Sequence, residues 1–174
     1  MKMNSIHIVY KILASALLAV VAAHGTASEK QDLERGLTHA MRLKRGTAGR
    51  IGDSGKAIQA YMREGLISQR PNQRADYTDY YLLRKPAKFM GHELMVIEEE
   101  YMSRYVGCCV SPGIGISVKV AGSTRNLQKF ADENKCTFTD HVDLHNELGQ
   151  VSIKAKLPHG DFASLSCRER DASR

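Results

Sequence analysis

No run of the roughly 20 apolar residues that a membrane-crossing helix needs occurs in this chain of 174 residues, which excludes a spanning segment from its mature part. No C-x-x-C pair occurs, so a thioredoxin-type redox centre is excluded. Nothing in the sequence repeats internally, and no low-complexity tract is present. No acidic residue precedes Glu29, and no cysteine precedes Cys108. The missing acids leave Lys2 and Lys11 ahead of, and beside, the apolar run Ile12 to Ala23, which has the length and basic lead of a secretory signal. Small residues mark two cleavage sites, after Ala23 and after Ala27, and neither has the cysteine that a lipid-modified N-terminus requires. We expect residues 1–27 to be a signal peptide and 28–174 a single mature domain, periplasmic or secreted. Ser28 with Gln31 then forms a capping-box pattern at the start of the first helix.

Export changes how the four cysteines read, because disulfides persist in oxidising compartments. Cys108 and Cys109 are adjacent, and Cys136 and Cys167 follow downstream. Bridging the adjacent pair strains the intervening peptide. The expected pairings are therefore Cys108 with Cys136 and Cys109 with Cys167, or the exchanged set, rooted in the stretch Gly107 to Gly115. Within it, Ser111, Pro112, Gly113, Ile114 and Gly115 read as a rigid turn, with proline and glycine in type II order, and as a candidate binding loop.

Charge adds little. Of 25 Lys and Arg, loss of Lys2 and Lys11 leaves 23 against 19 Asp and Glu, a formal +4. Such a balance fits a solvated surface or an anionic cell-surface polymer, and export argues against nucleic acid.

Hydrophobic periodicity supplies the fold class. Leu33, Leu37, Ala40 and Met41 form one helical stripe, ended at Gly46, and Ala57, Ile58, Tyr61 and Met62 form a second, capped near Asp53 or Ser54 and closed at Gly65. Strand-like composition starts at Tyr77 and continues through Phe89 to Tyr105. Ile114, Ile116, Val118 and Val120 alternate with small or polar residues. A third helix carries Leu127, Phe130 and Ala131, and Val151 to Leu157 and Phe162 to Cys167 alternate again as strands, before a polar tail expected to fray. The reading is α+β: a mostly antiparallel sheet of about five or six strands, two N-terminal helices and one later helix, with disulfides.

Candidate chemistry is sparse. Gly49, Gly52, Gly55 and Lys56 lack the spacing of a phosphate loop. Glu98 and Glu100 share a face if they lie in a strand, but the run Glu98-Glu99-Glu100 reads first as a solvated strand end. His141, Asp143 and His145 are a zinc-compatible set in either a helix or a strand, although Val142 stands where the glutamate of a zinc-protease helix belongs. His159, Lys154 and Lys156 are possible companions for proton transfer, and His92 reads as structural. The sequence supports an exported, non-catalytic binding protein with no cofactor, acting on another envelope or secreted protein as an inhibitor or immunity-type factor. The alternative is a small exported hydrolase using zinc at His141, Asp143 and His145.

Overall fold

The computed structural model describes residues 31–102 and 110–173, and the chain divides into two units, Met1–Leu33 and Glu34–Arg174. All but the first three described residues belong to the second unit. Its architecture is α+β, with seven strands in one antiparallel sheet.

A helix described over 31–41 (α1) places Leu37, Ala40 and Met41 in the core. It stops at Met41, short of the expected Gly46, because the chain folds back there: Ile51 N–H donates to Arg42 O at 2.8 Å, and Lys44 N–H to Gly49 O at 2.9 Å. Helix α2 (Ser54–Arg63) starts as the sequence indicates, with the Asp53 side chain accepting from Lys56 N, and Gly65 follows its end with φ +64°. Ala57, Ile58 and Tyr61 are its buried face.

Then come β1 (Gln73–Ala75), β2 (Thr78–Leu82), β3 (Lys88–Phe89), β4 (His92–Glu100) and β5 (Gly113–Lys119). Helix α3 (Arg125–Asn134) buries Leu127, Phe130 and Ala131 and precedes β6 (Thr137–Thr139). Helix α4 (Leu144–Gln150), strand β7 (Phe162–Arg168) and the short α5 (Glu169–Ala172) complete the chain. The sheet order is β1-β2-β4-β5-β7-β6, with β3 also on β4. Two short helices, α4 and α5, are thus added to the expected set.

Residues alternate between the two faces of the sheet. Tyr81, Ile97, Ile114, Ile116, Val118, Ala163 and Leu165 point to one face, and all are buried. A register shift between Leu94 and Val96 lets both residues be buried, on opposite faces. The second face carries Val96, which packs with Leu144 and Leu148 of α4, with Ile153 and with Phe162 in a smaller apolar cluster. Strand β5 is therefore buried on both sides, where its alternation suggests one exposed side.

Val151 to Leu157 keeps its alternating burial but joins no strand. Ser152, at φ +62°, turns the chain after α4, and Ile153 N–H donates to Leu148 O at 2.8 Å, so the segment lies along the helix and not in the ladder.

The cysteine pairing differs from both expected sets. Cys136 is bonded to Cys167, with Cα atoms 4.4 Å apart. The register explains it: Thr137 pairs with Ser166, so Cys136 and Cys167 are the next facing positions across the two antiparallel strands. Cys108 and Cys109 lie outside the described residues. By the loop-entropy estimate, a bridge at a separation of 31 residues stabilises by about 3–4 kcal/mol.

Beside this bridge, Arg50 joins three elements. Its Nη1 donates to Asn134 O at 2.6 Å and Met41 O at 3.2 Å, and its Nη2 to Arg168 O at 2.8 Å and Lys135 O at 3.3 Å. The guanidinium thereby satisfies carbonyls at the C-terminal ends of α1 and α3. Burial lowers the pKa of Arg50, opposed by the charges of Asp171 and Glu169. His92 is structural in the same sense: it is buried, its Nδ1 accepts from Ala121 N–H at 3.0 Å, and its Nε2 lies 3.2 Å from Asn126 Oδ1.

Candidate functional site

The second sheet face divides into an apolar half under α4 and a polar half at the other end of the strands. Alternation brings Thr78 and Tyr80 of β2, Glu98 and Glu100 of β4, Gly113 and Gly115 of β5, and Ser166 and Arg168 of β7 to the polar half. The two glycines matter because the chain on either side crowds them. A Cβ on Gly115 would meet Glu98 Oε2 at 2.9 Å and both Arg168 Nη atoms at 3.3 Å. Gly113 has φ +148°, and a Cβ there would meet Cys167 O at 2.5 Å. With no side chain at these two positions of β5, Arg168 reaches over that strand to the carboxylates on β4.

The result is a closed ion-pair network. Arg168 Nη2 is 2.7 Å from Glu98 Oε2, and its Nη1 donates to Ser166 Oγ at 2.8 Å. Its Nε lies 3.0 Å from Glu100 Oε2, a charge pair without aligned hydrogen-bond geometry. Arg170 Nη1 lies 2.7 Å from the same Glu100 oxygen, and Ser111 N–H donates to Glu100 Oε1 at 2.8 Å. Asp171 accepts from Thr137 Oγ1 and Ser166 Oγ, both at 2.7 Å, and from Arg168 N–H at 2.8 Å. Burial works to raise the Asp171 pKa. These three hydrogen bonds and the Arg168 charge outweigh it and hold the carboxyl below the usual aspartate range.

The expected solvated strand end is thus corrected: Glu99 and Glu100 are buried, and the polar tail after Arg168 is an ordered cap. A groove of about 290 Å³ runs between this network and α4, lined by Tyr80, Glu98, Glu147, Ser164, Ser166 and Arg168 among others. Glu147 projects from α4 into it, and its pKa is raised by burial and then by the charges of Glu98 and Asp143.

The histidine group takes a different form from that expected of a zinc site. His141 sits in a turn at φ +53°, the Asp143 carboxylate caps α4 by accepting from Asn146 N–H at 3.0 Å, and His145 is exposed in the first turn of that helix. Among the described residues, no three His, Cys, Asp or Glu side chains come together in a way that would hold a metal ion. His141, Asp143 and His145 are not brought together as such a group: His141 stands in the bend before the helix, and one Asp143 oxygen is turned to the helix N-terminus. The candidate loop is also placed differently. Gly113, Ile114 and Gly115 are buried in β5, and Ser111 is tied down by Arg170 N–H donating to its Oγ at 2.6 Å, which leaves Pro112 as the exposed member.

The sequence reading missed Arg168, Arg170 and Asp171. The available signal was the shared parity of Glu98 with Glu100 and of Gly113 with Gly115, which marks a face with acids beside empty space. A second groove, of about 470 Å³, lies on another side of α4, lined by His145, Leu148, Ile153, Lys154, Ala155 and Lys156. His145 and the two lysines named for proton transfer line this groove, without His141 or His159.

Comparison with protein-family models, with curated proteins and with solved structures gives no match. Among the described residues, no helix is long and apolar enough to cross a membrane.

Proposed function

We propose that the protein is an exported, non-catalytic binding protein that engages another envelope or secreted protein, in the manner of an inhibitor or an immunity factor against an enzyme or toxin. One observation carries the reading. Glu98, Glu100, Arg168 and Arg170 are tied into ion pairs on a disulfide-braced sheet. Carboxylates held by guanidinium groups are poor proton carriers, whereas a rigid charged scaffold lowers the ordering cost of association. The disulfide supports an oxidising compartment.

The test begins with the disulfide-bonded chain immobilised and exposed to envelope extract. The captured protein is then produced separately and titrated in a calorimeter. A saturable complex of fixed stoichiometry, which suppresses the activity of the captured protein, is the expected result. Turnover of a substrate by the chain itself, or no saturable complex, would reject the reading.

A further inference from the structure

The stretch Val151 to Leu157 has the pattern of a strand and pairs with no strand among the described residues. Ile153 is buried, Ala155 and Leu157 are half-buried against the cluster of Val96, Leu144, Leu148 and Phe162, and Lys154 and Lys156 are exposed. That residue-by-residue alternation is the burial of extended chain. The stretch is anchored on both sides: Ile153 N–H bonds Leu148 O at 2.8 Å, and beyond it Asp161 O accepts from Val120 N–H at 2.8 Å. Between these anchors, no backbone group from Lys154 to Leu157 is hydrogen-bonded to another backbone group among the described residues. A held, extended and unpaired backbone is a template for strand addition.

Charge selects the occupant. No acidic side chain pairs with His145, Lys154 or Lys156 among the described residues, and no carboxylate lines the groove they rim. The floor, by contrast, is apolar, formed by Leu148, Ile153 and Ala155. A strand laid here places alternate residues towards the lysines and towards this floor.

We propose that residues 153–157 receive an extended segment of a partner protein, in which acidic residues alternate with apolar ones, seated in the groove between α4 and the two lysines. This rests on the binding-protein reading and names the chemistry of the partner. Backbone pairing holds the segment extended, Lys154 and Lys156 select acids at every second position, and the floor rejects a purely polar chain.

The experiment uses the disulfide-bonded chain and a short, end-capped, fluorescent peptide of alternating glutamate and valine. Saturable anisotropy is expected, with amide shifts in the protein NMR spectrum centred on residues 153–157. Lys154→Glu with Lys156→Glu weakens binding by about tenfold, while both exposed changes leave the melting temperature in place. A peptide with N-methylated valines loses binding, because it cannot pair its backbone. The proposal is overturned if that peptide binds as well, if poly-glutamate without apolar residues binds equally, if the double variant binds unchanged, or if the edge is occupied by a second copy of the chain at working concentration. Should the protein captured from envelope extract bind the double variant with undiminished affinity, the docking edge is refuted while the binding-protein reading stands.

Discussion

Glu98, Glu99 and Glu100 are chemically identical neighbours, yet the sheet sends them into two electrostatic settings. Glu98 and Glu100 face guanidinium groups across a floor of glycine. Glu99 points the other way, towards α2, where Ser54 Oγ donates to its Oε1 at 2.6 Å and Asp79 is its facing neighbour on β2. Asp79 is itself engaged by Arg74 at 3.0 Å and by the hydroxyls of Tyr101 and Tyr81. Burial raises the Glu99 pKa, the Ser54 hydrogen bond offsets part of that, and the Asp79 charge adds to the rise. One face thus pairs its two carboxylates with guanidinium groups, while on the other a buried carboxyl has a hydroxyl as its hydrogen-bond partner and another acid as its facing neighbour.

The sharpest way to break this contrast is Arg168→Met. The side chain of Arg168 is 8% exposed and that of Glu100 4%, so the variant strands buried negative charge and is expected to cost about 3–5 kcal/mol in urea unfolding. A loss under about 1 kcal/mol would show that the network is not what holds the open face.

Asp171→Asn comes next, at about 2 kcal/mol near neutral pH, because an amide cannot accept from Thr137, Ser166 and the Arg168 amide with equal strength. The sign of its pH dependence follows from the depressed pKa. Stability from the charged Asp171 is present above the ordinary aspartate range and lost as pH falls through the lower folded value. The gap between wild type and variant should therefore close in strong acid, and a gap independent of pH would contradict the assignment.

Glu99→Gln is the smallest and has the opposite sign. A raised folded pKa means that Glu99 contributes stability below the ordinary glutamate range and loses it as pH rises through the folded value. The glutamine variant should be more stable at neutral pH by about 0.5 kcal/mol, with the gain vanishing in acid. A variant no more stable than wild type at neutral pH, or a difference that does not change with pH, would contradict the assignment.

Local features of this molecule were legible and distant ones were not. Asp53 as a cap, Gly65 as a stop, the alternation in β5 and the shared face of Glu98 and Glu100 depend on neighbours a few residues away, and each is where periodicity puts it. The disulfide partner of Cys136 depends on which strand lies beside β6, a matter of sheet order. Arg168 meets Glu98 across 70 residues, and Arg50 meets the Arg168 carbonyl across 118, so neither partner leaves a trace in local spacing. The strand pattern of residues 151–157 was legible too, but periodicity reports which side chains want burial and is silent on whether a backbone finds a partner.

The Cys136–Cys167 bond also closes a ring. Everything between those two residues, including β6, α4, the lysine-rimmed groove and most of β7, lies inside one covalently closed loop. A protease that cuts at Lys154 or Lys156 nicks that loop without releasing either piece. Such a protein remains one molecule until it meets a reductant, with β6 still tethered beside β7.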